Sequence, residues 1–498
     1  MFRRILIANR GEIAVRVIHA CRELGIESVA VYSDADARAL HTTLADRAVR
    51  IGPPPASQSY LSTEAVLDAA RETGADAIHP GYGFLSENHE FAAACSEAAV
   101  TFIGPSSDVI ARMGSKIAAR RLAVDAGVPV VPGEIPREQT DEGLADAASR
   151  LGFPLLVKPS AGGGGIGMKH VTDPAQLRAA VGQARREALA AFGDGTLYLE
   201  RLLERPRHIE LQILGDHAGH VVHLFERECS LQRRHQKIIE ETPSPALTPR
   251  VRAQMGQAAT NIARASNYTN AGTVEFLVEG EGDAASFYFL EVNTRLQVEH
   301  PVTEQTTGVD VVRAQITVAA GDPLPWSQDQ LQQRGHAIEA RIYAEDPSAH
   351  DLPQAGRLLL YREPTMPGIR VDAGVVEGDD ISIHYDPMMA KLIAWGDSRE
   401  AARARALAAL RNYPVLGVRT NIAFLIELLQ HPDFVDGHLH TGLVDAVRGD
   451  VLDTLNEPPP SEARAVALHS DQATTAIPHA VRTDHPSEPW SSLRGWRG

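Results

Sequence analysis

Residues 3–33 limit the fold more than any other stretch. Arg3–Asn9 reads as a strand, Glu12–Leu24 carries a helical apolar stripe at Ile13, Val17, Ile18 and Cys21, and Ser28–Ser33 reads as a second strand. Ala75–His79 and Val100–Gly104 add two more apolar strands, with helical patterns at Thr63–Glu72 and His89–Ala98 between them. Alternation of this kind implies a parallel α/β sheet covered by helices. Asn9-Arg10-Gly11-Glu12 follows the first strand, where a nucleotide loop can sit, but it lacks G-x-G-x-x-G, so a dinucleotide reading is weak. His79-Pro80-Gly81-Tyr82-Gly83-Phe84-Leu85-Ser86-Glu87-Asn88 also follows a strand, and ligands of open α/β sheets bind beyond strand ends. A tight Pro-Gly turn with a packed Tyr82 explains that segment equally well on local grounds.

A chain of 498 residues suggests about three domains. The formal charge of −16 argues against a general binder of nucleic acids or membrane surfaces. Cys21, Cys95 and Cys229 give neither a disulfide framework nor zinc spacing, and the compartment reads as reducing. Met1-Phe2-Arg3-Arg4 leads straight into a strand and lacks the apolar core of a signal peptide. No run approaches the ~20 apolar residues of a membrane span. The expected location is the cytoplasm or the equivalent matrix. Basic charge is carried by 43 arginines and only five lysines: Lys116, Lys158, Lys169, Lys237 and Lys391. A lysine that persists in such a chain points to a need for a compact, mobile ammonium, with chance as the plain alternative.

A second unit begins near Pro105. Ser115–Asp125 reads as a helix carrying Lys116, and Phe153–Lys158 as a strand ending in a lysine. Pro159-Ser160-Ala161-Gly162-Gly163-Gly164-Gly165-Ile166-Gly167-Met168 follows. Consecutive glycines let backbone N–H groups close on phosphate oxygens and let a loop move. This is no Walker A loop, because no Gly-Lys-Ser/Thr closes it, and many glycine-rich loops are simple hinges. Thr196–Leu203, Arg207–Leu214 and Val221–Phe225 read as strands. The segment Glu226–Lys237 then clusters basic residues, which suits a small acidic ligand; a solvated charged turn is the default reading of such a run.

Gly272–Val278 and Phe287–Val292 flank the turn formers Glu279–Asp283 and read as an antiparallel hairpin. A turn centred near Asp283 puts Glu275 opposite Glu291, and strand alternation sends Glu291, Asn293 and Arg295 to one side. Opposed carboxylates repel. A hard divalent cation reverses that, since Mg²⁺ takes carboxylate and amide oxygens. The competing reading is a solvated face with incidental acids. Farther on, His336–Ala344 reads as a strand that includes Arg341, followed by Asp386–Ala394 and a helix Arg399–Leu410. Beyond about Leu455 the composition shifts to Pro, Ser, Ala, Thr and His and reads as linker or disorder. There is no internal repeat.

Taken together, these segments resemble biotin carboxylase, an ATP-grasp enzyme, over roughly residues 1–447. The most specific pieces are Ile7–Ala14, His79–Asn88, Gln232–Lys237 and Glu291–Glu304, each long, nearly gapless and in the family's order. The resemblance implies an α/β and α+β architecture: an N-terminal parallel α/β (pre-ATP-grasp) domain at 1–114, an ATP-grasp domain at 115–325 with a lid at about 131–203, a C-terminal α+β domain at 336–447, and a tail at 448–498. It implies ATP-dependent carboxylation of biotin by bicarbonate through carboxyphosphate. Lys116 and Lys158 would contact ATP phosphates under the glycines Gly162, Gly163, Gly164 and Gly165. Glu200, Arg201 and Leu203 would hold the adenine neighbourhood, and His208, Gln232, His235 and Leu277 would line the nucleotide site. Glu275, Glu291 and Asn293 would hold Mg²⁺ or Mn²⁺. Lys237, Arg295, Gln297 and Val298 would hold bicarbonate, Glu299 would be the general base, Arg341 would stabilise the biotin enolate, and Tyr82 and Gly83 would lie near biotin. Expected partners are a biotin carboxyl carrier protein or domain, a carboxyltransferase subunit and a second copy in a homodimer, with no nucleic acid and no membrane.

Two departures from the family pattern stand in the lid. Ala161 replaces the first of five glycines, and Ile166 replaces a basic residue. Slower or weaker ATP use rather than none is expected, because Lys116, Lys158 and Lys237 remain. Arg201 stands where lysine is usual. Asp386–Lys391 and Gly417–Asn421 look more like α subunits of methylcrotonyl- or propionyl-CoA carboxylases, and Pro489–Trp496 resembles the start of the segment that follows in them. No Ala-Met-Lys-Met biotinylation sequence is present, so the chain is expected to carry no biotin of its own, as a separate carboxylase subunit or a truncated α subunit. Rival readings are another ATP-grasp carboxylate or bicarbonate ligase, and a catalytically weakened scaffold.

Overall fold

A computed structural model of the chain describes residues 1–160, 167–234 and 236–455. The first unit is the expected parallel sheet. Arg4–Ile7 lies at its centre between Glu27–Ser33 and Ala77–His79, with Arg47–Gly52 and Thr101–Phe102 at the edges. The helix Gly11–Glu23 buries Ile13, Val17, Ile18 and Cys21 against this sheet, the stripe read from its 3.6-residue period. Arg47–Gly52 escaped the sequence reading. Its burial runs from exposed to buried along the edge, so it shows no clean alternation.

A four-stranded antiparallel sheet follows, in the order Gly133–Glu134, Leu197–Arg201, Leu155–Pro159, Lys169–Val171. The helices Asp141–Leu151 and Leu177–Phe192 cover it through Leu144, Ala147, Ala148, Val181 and Ala184. The glycine run Gly162–Gly165 with Ala161 and Ile166, His235, and the tail beyond Leu455 lie outside the described residues.

The largest sheet has eight antiparallel strands. In order they are Ser286–Asn293, Asn270–Glu279, Arg207–Gly215, Val221–Arg233, Gln236–Thr242, His336–Tyr343, Met388–Gly396 and Ile369–Ala373. One continuous sheet thus carries both the hairpin and the strand that bears Arg341. The reading of Glu226–Lys237 as a solvated turn is corrected here. Val221–Arg233 is a single strand of 13 residues, and Glu226, Arg227 and Glu228 are at most 1% exposed. Charged residues stay in the interior because each finds an opposite charge: Arg227 donates to Glu210 at 2.6 Å and to Gln212 at 2.8 Å. Among the described residues no helix is long and apolar enough to cross a membrane.

Candidate active site on the eight-stranded sheet

The hairpin register is the one its turn predicts. Glu275 pairs with Glu291, and Thr273 with Asn293. Glu275 is held through one oxygen: its Oε1 accepts from Asn293 Nδ2 at 2.8 Å, Lys237 Nζ at 3.0 Å and Gln297 Nε2 at 3.2 Å. His208 Nε2 lies 2.9 Å from Glu275 Oε2, a charge contact without good hydrogen-bond alignment. Burial raises the carboxyl pKa of Glu275, but Lys237 and His208 outweigh it and hold the group well below the usual range. Glu291 differs. Its carboxylate makes no hydrogen bond or ion pair to any described residue, and burial together with Glu275 pushes its pKa up. An under-neutralised carboxylate opposite another, beside the Asn293 amide, is a donor set of oxygens that fits Mg²⁺.

Beside the hairpin, Lys237 Nζ reaches Glu210 at 2.5 Å and Glu299 at 2.7 Å as well as Glu275. Two groupings of potential metal ligands lie here, His208–Glu210–Glu275 and Glu210–Cys229–Glu299. The Lys237 ammonium already contacts carboxylates of both. Burial disfavours its charge, yet Glu210, Glu275 and Glu299 overcome that and raise its pKa well above the ordinary lysine value. Glu299 is 0% exposed. Its Oε1 faces Lys237, and its Oε2 accepts from Arg341 at 2.9 Å. Burial works against the ionised form, but Lys237, Arg341 and Arg227 hold its pKa far down. Arg341 is steadied in turn by Glu240 at 2.6 Å.

Arg295 is fixed from three sides: Glu87 Oε2 at 2.8 Å, Gln297 Oε1 at 2.7 Å and Asn293 Oδ1 at 3.0 Å. Glu87 also accepts from the Thr294 amide at 3.0 Å, which ties the His79–Asn88 segment to the hairpin loop. Within that segment Gly81 and Gly83 adopt left-handed φ of +62° and +68°. A Cβ on Gly81 would stand 2.9 Å from Asn9 Nδ2. Asn9 donates to the carbonyls of Pro80 and Tyr82, both at 2.7 Å. The Asn9–Glu12 segment therefore serves as a brace for the Tyr82 turn, and Tyr82 itself donates to Glu12.

A cavity beside the hairpin is lined by Lys116, Lys158, Tyr198, Glu200 and Glu291, with Ile117, Val131, Ile135 and Phe289 as apolar walls. Lys158 pairs with Glu200 across it, and burial lowers the pKa of Lys116. His208 and Leu277 are register partners, as are Gln232 and Lys237. Leu203 is buried, while Arg201 reaches over to Glu279 at 2.8 Å and Tyr288 at 3.2 Å. The cavity thus brings Lys158 and Glu200 of the four-stranded sheet and Lys116 of the helix Lys116–Asp125 to Glu291 of the hairpin.

Comparisons with known proteins agree with this geometry. Residues 1–110 match the biotin carboxylase N-terminal domain, 115–327 the ATP-binding domain of carbamoyl-phosphate synthase L chain, and 339–446 the biotin carboxylase C-terminal domain. The biotin carboxylase of Halalkalibacterium halodurans is 50% identical over 444 residues, 89% of this chain and 97% of that one. The chain belongs to the biotin carboxylase family. Within the family it is also 50% identical to the mitochondrial methylcrotonoyl-CoA carboxylase subunit alpha of Oryza sativa over 97% of this chain, but it spans only 65% of that relative's length. A biotin carboxylase–β,γ-ATP complex from Campylobacter jejuni superposes with a TM-score of 0.86 at 41% identity, covering 90% of this chain and 99% of that one. The biotin carboxylase domain dimer of Hydrogenobacter thermophilus 2-oxoglutarate carboxylase, holding MgADP, ADP and bicarbonate, gives 0.85 at 45% identity, covering 90% and 98%.

The sequence reading missed Glu210, Glu240 and Glu87, which contact Lys237, Arg341 and Arg295 in this cluster. Glu210 had a signal, since it lies two residues from His208 on a strand and so shares its face. Glu87 lay inside the quoted motif without a partner in view. Glu240 had no local signal, because its role depends on Arg341, 101 residues away.

Proposed function

We propose that the chain carboxylates biotin borne on a separate carrier protein or domain, using ATP and bicarbonate. The observation that carries this reading is Glu299, sealed from solvent between Lys237 and Arg341 and one short loop from the Glu275–Glu291 pair. Lys116 and Lys158 draw in the phosphates of ATP. Glu275, Glu291 and Asn293 would hold Mg²⁺, which would supply neutralisation of charge on those phosphates. Bicarbonate, an anion, settles among Lys237, Arg295, Gln297 and the Val298 segment. There it competes with Glu299 for Lys237. As that cation turns to the substrate, the Glu299 carboxylate loses what holds it down and becomes a base. It takes the bicarbonate proton, and the freed oxygen attacks the γ-phosphorus while ADP leaves. Carboxyphosphate separates into CO₂ and phosphate, the phosphate accepts the biotin N1 proton, and N1 attacks CO₂. Arg341 stands by the developing enolate oxygen, with Tyr82 and Gly83 on the biotin side.

The domain division is 1–114, 115–325, 336–447 and 448–498. Partners in this reading are a carrier, a carboxyltransferase subunit and a second copy of the chain, in an acyl-CoA carboxylase of the methylcrotonoyl type, housed in cytoplasm or mitochondrial matrix. The test is phosphate release from ATP with and without bicarbonate and free biotin. Stimulation by both is expected, and the absence of either response would overturn the reading.

A further inference from the structure

Four of the five lysines serve the nucleotide and bicarbonate regions or adjoin them; Lys391 has no such assignment. It is 0% exposed and sits on the strand Met388–Gly396, in direct register with Arg341 on the strand His336–Tyr343. These two cations grip consecutive residues of one loop. Arg341 holds the Glu299 side chain at 2.9 Å, and Lys391 Nζ donates to the Val298 carbonyl at 2.8 Å. The acids around Lys391 take the weaker places. Glu12 Oε2 lies at 3.1 Å without hydrogen-bond alignment, and Asp372 Oδ2 at 4.0 Å. Glu339 is fully enclosed near it, with neither carboxylate oxygen hydrogen-bonded among the described residues. A cation placed only to neutralise buried acids would direct its bond to one of them. Here the aligned hydrogen bond goes to the peptide that precedes the base. That peptide is planar, so fixing the Val298 carbonyl also fixes the direction of the Glu299 N–H and the start of its side chain.

Glu12 extends the contact. It is 3% exposed, opens the helix Gly11–Glu23, and accepts the hydroxyl of Tyr82. Tyr82–Glu12–Lys391–Val298 is therefore a continuous chain of polar contacts. It joins the turn on the biotin side to the loop on the bicarbonate side, and it links the parallel-sheet unit to the eight-stranded sheet. We propose that Lys391 and Glu12 are positioning residues for the bicarbonate station, and that they transmit the position of Tyr82 to the Val298–Glu299 peptide. Neither touches a reacting atom. By linkage, whatever shifts Tyr82 changes bicarbonate affinity, and bicarbonate changes affinity on the Tyr82 side by the same factor.

This inference rests on the biotin carboxylase reading, and its test separates the two. The full chain and its Lys391→Met, Glu12→Gln and Tyr82→Phe variants are assayed for phosphate release with no biotin present, varying bicarbonate and ATP independently. A wild-type chain indifferent to bicarbonate would overturn the functional reading itself. Given a responsive wild type, Lys391→Met raises the bicarbonate KM at least ten-fold while the ATP KM stays within two-fold. Glu12→Gln and Tyr82→Phe each raise the bicarbonate KM three- to five-fold, although biotin is absent. A variant carrying both Glu12→Gln and Tyr82→Phe does no more than the larger single change, as expected of one pathway. Should Lys391→Met not fold, Glu12→Gln and Tyr82→Phe decide the matter. A bicarbonate KM within two-fold of wild type in both, or equal rises in the bicarbonate and ATP KM values, would overturn the proposal.

Discussion

Lys237 Nζ lies 2.7 Å from Glu299 Oε1 while also meeting Glu210 at 2.5 Å and Glu275 at 3.0 Å. One ammonium answers three buried carboxylates, so an arriving anion can redistribute charge without any backbone movement. Replacing Lys237 by Gln removes the largest charge that opposes burial at Glu299. The base pKa then rises, and the acid limb of the pH–rate profile moves to higher pH. A kcat loss of roughly 100-fold or more accompanies it, in the range typical of general acid–base catalysis. The profile of bicarbonate-dependent phosphate release checks both, and an unmoved acid limb would sink this account of Glu299.

Glu291 tests the metal reading apart from turnover. Glu291→Gln keeps the shape of the hairpin but removes one of the two opposed charges. Mn²⁺ binding in the presence of ADP, followed by electron paramagnetic resonance, should weaken about ten-fold or more. Undiminished binding would place the metal elsewhere.

Arg341 is assigned to the second half of the reaction, yet it also holds Glu299. Arg341→Ala should abolish stimulation by biotin while leaving a measurable bicarbonate-dependent ATP hydrolysis. Equal loss of both activities would make Arg341 a support for the base and nothing more.

Acid stability has a specific source. Burial pushes the pKa of His41 down to about 4 from its ordinary 6.5, and that of His223 likewise to about 4. Above pH 6.5 these rings are neutral whether the chain is folded or not. Below it the unfolded chain takes up protons that the folded one refuses until about pH 4. Stability is therefore lost as pH falls through this window, by about 2 kcal/mol per ring between pH 7 and pH 5. His41→Gln should flatten the fall by one ring's share, read from urea midpoints at the two pH values. An identical slope would count against the assignment.

The lid offers a test that rests on sequence alone. Isoleucine stands at 166, where the resemblance to biotin carboxylases leads to the expectation of a cation. Ile166→Lys should lower the ATP KM or raise kcat about two- to ten-fold, since a basic lid residue adds a charge-assisted phosphate contact. No gain in bicarbonate-dependent ATP hydrolysis would show that the missing cation costs nothing.

Much of this was legible in the residues. The helix Gly11–Glu23 and the parallel strands beside it follow from periodicity, which is local. The pairing of Glu275 with Glu291 follows from a short turn, because a hairpin's register is set by the residues between its strands. The charged strand Val221–Arg233 misled, because burial of charge depends on partners that no local pattern displays. The glutamate at 240 gave no sign of itself for the same reason.

The sequence by itself determined most of the elements, the opposed carboxylates and, through its long motifs, the family. Only the tertiary structure decided what surrounds Glu299. Lys237 is 62 residues before it and Arg341 42 residues after it, and both reach it because strand order in one eight-stranded sheet brings distant segments side by side. Periodicity states which face a side chain takes; it cannot state which strand will lie next to it. Lys391 shows the same limit, since its bond to the Val298 carbonyl, 93 residues away, exists only once the sheet has formed.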